Sequence, residues 1–220
     1  MLGWGDRLRR LIAFVAFLVS LALILGLSAC GTSGSATQSA ASSAGDPTNW
    51  MAGHDNDAAI FAEIYPVSAD NPFLIASYDE VVRLFKIGSG VLVFGFPDCP
   101  RCRNAFPALE KAFKEMNMDQ KDGFSGRILY YNIFDDREAN NEHYQTLVEY
   151  TKEFLPLDDS GNPRIYSPDV FFVTAGKIIG NHLDTVPSLI DPWDALNSDQ
   201  EAELISIYKD LIGKMEDCGC

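Results

Sequence analysis

Apolar positions along this chain change their spacing from segment to segment, and the spacing sorts the segments into elements. "VLVFGF" (91–96) and "RILYYNIF" (127–134) are continuous apolar runs of strand length, the pattern of strands covered on both faces. "PDVFFVTAGKIIGNHL" (168–183) predicts two strands joined as a hairpin at Ala175-Gly176, and a shorter strand lies near Phe73 to Ala76. Helical spacing sets Phe106, Leu109, Phe113 and Met116 on one face of a helix from Cys102 to about Met118. A second helix carries Tyr144, Leu147, Val148, Thr151, Phe154 and Leu155 and stops at Pro156. A last one carries Leu204, Ile205, Tyr208, Leu211, Ile212 and Met215. Ser77 with Glu80, and Ser198 with Glu201, have the spacing of capping boxes, and Gly88 marks a helix end. "FDDRE" (134–138) reads as a solvated strand end and "DDSGNPR" (158–164) as a loop.

The order is β-α-β-α-β-α-β-β-α. Early alternation implies parallel strands with crossover helices, and the closing hairpin adds antiparallel edges. The expected fold class is α/β, a central mixed sheet flanked by helices.

The N-terminal region does not belong to that fold. Arg7, Arg9 and Arg10 precede an almost unbroken apolar run from Leu11 to Leu27, the layout of an export signal. "LSAC" (27–30) follows, and a cysteine directly after such a site resembles the lipobox of bacterial lipoproteins. That resemblance implies cleavage of residues 1–29 as a signal peptide and a diacylglycerol on Cys30; the rival reading is an uncleaved membrane anchor. Either way the remaining chain faces the extracytoplasmic side. Residues 31–49 are almost wholly small or polar, so residues 30–57 read as a lipidated cysteine and a flexible tether, and 58–220 as the domain. Loss of three Arg and one Asp with the leader takes the formal charge from −14 to −16. Nucleic acid is excluded as a partner by that charge, and an anionic leaflet would repel the domain.

Five cysteines are an odd number for an exported chain. With Cys30 lipidated, the pairs Cys99/Cys102 and Cys218/Cys220 remain, in an oxidising compartment where thiols need a reason to stay free. A strand running into Cys-x-x-Cys at a helix start puts the first sulfur beside unpaired N–H groups and partial positive charge, which favour thiolate. Pro100 suits the first helical position. In this layout Cys99 has an exposed sulfur and attacks a partner disulfide, Cys102 lies one turn inward and resolves the mixed disulfide, and Arg101 adds positive charge while Asp98 opposes it. Alternatives for the pair are an inert disulfide or a zinc half-site completed by Cys218 and Cys220.

At "FGFPDCPRC", with Pro107 five positions beyond Cys102 and "YSPDVFFVTAGKIIG" downstream, the chain resembles the thioredoxin superfamily over residues 73–216. Within it the pattern looks like exported bacterial thioredoxin-like lipoproteins, a group that includes bacteriocin transport accessory proteins. The resemblance implies a thioredoxin-like fold, a helix kinked at Pro107, a cis bond before Pro168 facing the disulfide, and a Ser167 backbone that pairs with a substrate strand. It makes Pro100, Arg101, Ser167 and Pro168 substrate-binding residues and needs no cofactor beyond the Cys99–Cys102 disulfide. Two positions depart from thioredoxin: Val93 stands where a buried Asp accepts protons, and Asp98 where a tryptophan precedes the first cysteine. Extra length around residues 140–164 makes an insertion expected near the active face.

The expected function is a membrane-tethered thiol–disulfide oxidoreductase acting on thiols or disulfides of exported proteins, with a membrane electron-transfer partner. The alternative is a copper-binding or accessory module in which His182 joins the cysteines. Cys218/Cys220 would relay electrons to or from Cys99/Cys102, or form a frayed, idle tail. His54 falls in the tether, His143 on a helix start, and Trp193 in a packing loop.

Overall fold

The structure, a computed structural model, describes residues 53–218. The expected signal peptide, the lipidated Cys30, most of the tether and Cys220 lie outside the described residues, as does the side chain of Cys218. No helix among the described residues is long and apolar enough to cross a membrane.

The helices are α1 (Asp57–Ile64), α2 (Tyr78–Ile87), α3 (Cys102–Glu115), α4 (Phe134–Ala139), α5 (Glu142–Thr151) and α6 (Ser198–Cys218). The strands are β1 (Phe73–Ile75), β2 (Gly90–Gly95), β3 (Ile128–Asn132), β4 (Asp169–Thr174) and β5 (Lys177–Leu183). They form one mixed sheet in the order β1-β3-β2-β4-β5. β3 pairs in parallel with β1 and β2, while β4 runs antiparallel to both β2 and β5. The expected α/β class and its helix-flanked mixed sheet are therefore present.

Because strand side chains alternate, the apolar run of β2 serves two cores. Val91 and Val93 face α1, α3 and α6, packing with Phe61, Phe106, Leu109, Tyr208 and Ile212. Leu92 and Phe94 face α2 and α5, packing with Leu84, Phe85, Tyr144 and Leu147. The segment around residues 140–164 thus covers the sheet face opposite α3, and the chain returns through Ile165, whose N–H donates to Tyr144 Oη at 3.3 Å. The hairpin forms at Ala175 and Gly176, both with positive φ (49° and 77°), as a tight primed turn requires. Any Cβ on Gly176 would also meet the Lys86 carbonyl oxygen at 2.6 Å.

Several boundaries differ from expectation. The Ser77–Glu80 box is formed, but α6 is capped one residue earlier than Ser198. Asn197 Oδ1 accepts from Gln200 N, and Gln200 Oε1 accepts from Asn197 N, each at 3.0 Å. Glu201 is drawn instead into an ion pair with Lys111. "FDDRE" opens α4 rather than ending a strand. The α5 helix ends at Thr151, and a 3₁₀ turn, Lys152–Phe154, carries the chain on.

The tether also ends sooner than residue 57. His54 Nδ1 bonds Asp57 Oδ2 at 2.6 Å and its Nε2 bonds Glu80 Oε1 at 2.8 Å, so His54 belongs to the folded domain. From there α1 sends Phe61 and Tyr65 into an aromatic cluster with Phe73, Phe106 and Tyr130.

Candidate functional site

The parallel strands β1, β3 and β2 deliver their carboxyl ends to one edge of the sheet, where α/β folds expose loops for chemistry. β2 leads there into Phe96-Pro97-Asp98-Cys99. Register brings two more segments to the same edge: Phe94 pairs with Asp169, and Asp169 with Leu183. Pro168, before β4, and Asp184, after β5, are consequently neighbours of the cysteine loop.

In that loop Cys99 and Cys102 are joined as a disulfide, with Cα atoms 5.3 Å apart. The helix opens at Cys102 with Arg101 as its N-cap, so Pro100 lies in the preceding turn, not at the first helical position. The amide of Cys102 donates to Cys99 Sγ at 3.1 Å. An unpaired N–H of a helix N-terminus is thereby aimed at the first sulfur, an arrangement that stabilises negative charge there once the disulfide opens.

The Ser167–Pro168 bond is cis. The Ser167 carbonyl oxygen lies 3.7 Å from Cys99 Sγ, and Pro168 is buried. This cover corrects one expectation: Cys99 is only 2% exposed, and Cys102 is fully buried. Helix and cis-proline loop close on the disulfide from two sides.

Arg101 does not stand free beside the cysteines. Its Nη1 pairs with Asp184 Oδ1 at 3.0 Å and donates to the Leu189 carbonyl at 3.4 Å. Much of its charge is answered before it reaches Cys99. Pro107 stands inside α3, and the helix runs on past it to Glu115. Gly95 allows α3 to close on the sheet, since a Cβ there would meet Phe106 Cζ at 2.7 Å.

Val93 is fully buried and paired with Tyr130 and Val170. The polar atoms beside it are phenols: Tyr65 Oη and Tyr130 Oη lie 3.2 Å apart in the core. Burial pushes Tyr130 up to about 12 and Tyr65 further, so both stay neutral. A buried carboxyl does lie near the site, at Asp169, one residue beyond the cis-proline. Burial raises its pKa to about 7 against the partial relief of an Asn181 Nδ2 hydrogen bond at 2.9 Å. Its Oδ2 is buried without a hydrogen-bond partner, as is Ser167 Oγ. By strand alternation Asp169 shares the α5 face with Phe171, across the sheet from Cys102. Sequence reading passed over Asp169, although an acid opening the apolar run "DVFFVT" was a usable signal.

His182, the copper candidate, is turned into the protein. Its Nε2 donates to the Thr185 carbonyl at 2.8 Å and its ring meets Tyr208 edge-on. Burial lowers its pKa. Among the described residues no group of three or more His, Cys, Asp or Glu side chains is arranged to hold a metal ion.

Of the second cysteine pair only the backbone of Cys218 is described, at the end of α6. Thr174 Oγ1, at the far end of β4, donates to the Met215 carbonyl at 3.4 Å. Five residues of strand separate Thr174 from Asp169, roughly 17 Å, and Cys218 follows Met215 on α6. The backbone of α6 thus carries Cys218 away from Cys99.

No family model matches the chain, and no curated protein matches it.

Proposed function

We propose that the protein is a thiol–disulfide oxidoreductase on a thioredoxin-like fold, held outside the cytoplasmic membrane by a lipid on Cys30. The observation that carries this reading is the Cys102 amide 3.1 Å from Cys99 Sγ, opposite the cis Ser167–Pro168 bond. One sulfur is set beside a helix-terminal donor and its mate is buried one turn further on. In the reducing direction, the Cys99 thiolate attacks a disulfide R–S–S–R′, forming Cys99–S–S–R and releasing R′–S⁻. Cys102 then gives up its proton, attacks the Cys99 sulfur, and releases R–S⁻; the freed thiolates take up protons from solvent. Both electrons that reduce the partner come from the two cysteines. The reverse sequence oxidises a partner dithiol, and a membrane electron carrier resets the pair. The partners are exported proteins within reach of the tether.

The test is trapping. In cells expressing the full chain with Cys102→Ser, mixed disulfides through Cys99 should accumulate, dissolve with reductant, and disappear in Cys99→Ser/Cys102→Ser. A Cys102→Ser chain that forms no adducts would rule out turnover.

A further inference from the structure

The two most exposed large apolar side chains among the described residues are Ile190, at 84%, and Trp193, at 75%. Both lie on the segment between β5 and α6, residues 184–197. A single exposed apolar residue means little; these two share a segment whose backbone is bonded to the residues on either side of Cys102. Arg101 donates to the carbonyl of Leu189 at 3.4 Å, and Leu189 itself is buried. Asn104 Nδ2 donates to the Asp194 carbonyl at 2.8 Å, and Asn104 Oδ1 accepts from Leu196 N at 3.3 Å. Trp193 N donates to Asp191 Oδ1 at 2.9 Å. Ile190 and Trp193 are thus each one residue from a carbonyl bonded to the cysteine turn or the first turn of α3. The backbone that carries them is ordered against the cysteine turn and α3, so a partner that covers them gains burial without first ordering a loop.

Charge specifies the occupant. Exposed Asp191 and Asp194 flank the two side chains, exposed Asp98 precedes Cys99, and Asp184 already answers Arg101. We infer that Ile190 and Trp193 form a docking surface for an extended polypeptide segment that carries an aliphatic or aromatic side chain beside Lys or Arg, close to its reacting cysteine. Such a segment is found in an exported protein that has not finished folding. The acidic rim attracts it and excludes acidic chains. This inference rests on the oxidoreductase reading and adds substrate selection to it.

The experiment uses the reduced full-length protein in lipid nanodiscs. Three peptides each carry one cysteine joined in a disulfide to thionitrobenzoate: one with Phe and Lys beside the cysteine, one with Ser for Phe, one with Glu for Lys. Bis-thionitrobenzoate disulfide is the peptide-free reagent, and thionitrobenzoate release gives each rate. The Phe–Lys peptide, scaled to that reagent, should react about tenfold faster than the Ser relative, the size of discrimination one apolar contact provides. It should react up to about fivefold faster than the Glu relative, what an exposed charge pair worth up to about 1 kcal/mol supplies. Ile190→Ser/Trp193→Ser should abolish the preference for Phe, and Asp194→Lys should abolish or invert the preference for Lys over Glu. Equal rates for the three peptides, preferences that survive these variants, or self-association that Trp193→Ser removes would overturn the docking surface. No release from any reagent, the peptide-free one included, would instead refute the oxidoreductase reading.

Discussion

Asp184 ties Arg101 to Pro168. Its carboxylate pairs with the Arg101 guanidinium at 3.0 Å, and its backbone N–H donates to the Pro168 carbonyl at 2.8 Å. One residue, in the left-handed conformation at φ 73°, thereby spans the cysteine turn and the cis-proline loop. Asp184→Asn tolerates that conformation and removes only the countercharge. Arg101 is then left to favour the Cys99 thiolate. Alkylation of reduced Cys99 at pH 6.5 should quicken by up to about fivefold, what a half-exposed pair worth up to about 1 kcal/mol can supply. Peptide-resolved mass spectrometry measures it, and slower alkylation would show that Asp184 matters chiefly for loop geometry.

Gly95→Ala should be costly. The new Cβ would sit 2.7 Å from Phe106 Cζ and 3.0 Å from Tyr130 Cε2, between α3 and the sheet. Both rings are locked in the aromatic cluster, so relief requires α3 to move. We expect a loss of about 1–3 kcal/mol in urea unfolding, together with slower disulfide exchange. An unchanged midpoint would mean that the rings yield.

Asp169 sets a pH dependence of stability. Its folded pKa, about 7, lies above the ordinary carboxyl value of 3.8 because burial disfavours the charged form. Between those values the folded protein holds a proton that the unfolded chain has lost, so stability falls as pH rises from about 4 to 7. Asp169→Asn has no proton to lose. Relative to wild type, it should therefore gain on the order of a few kcal/mol between pH 4 and pH 7.5. Urea midpoints across that range test it, and parallel curves for the two proteins would place the unfavourable ionisation elsewhere.

His54 works in the same direction, but through partners it gains on folding rather than through burial. Burial alone would lower its pKa, but hydrogen bonds and charge from Glu80 and Asp57 outweigh that and raise it above 6.5. Its contribution is complete below pH 6.5 and fades as pH rises through the raised folded value. His54→Ala should lower the melting temperature at pH 5.5 and cost much less at pH 8.5. An equal loss at both values would assign His54 a packing role alone.

The sheet was readable because β2, β3 and β4 are unbroken apolar runs that must be covered on both faces, and Cys-x-x-Cys after such a run marks the candidate site. α1 was missed because "DAAIFAEI" has apolar residues around most of its circumference, hence no stripe, and it follows closely on a run of small and polar residues. α4 buries none of its residues, so it leaves no periodic trace. The α6 cap was misread because Asn197/Gln200 and Ser198/Glu201 are overlapping boxes one residue apart, and the Lys111–Glu201 pair, made by folding, decides between them. Asp169 and Asp184 join the site only through strand register, which no local pattern discloses.

The most direct measurement is the pH profile of iodoacetamide alkylation in the fully reduced full-length protein, read separately for Cys99 and Cys102. We expect Cys99 to react first, with a midpoint well below the roughly 8.5 of free cysteine, and Cys102 to stay protected. A Cys99 midpoint at the free value, or modification of Cys102 ahead of Cys99, would contradict the assignment of Cys99 as the attacking sulfur.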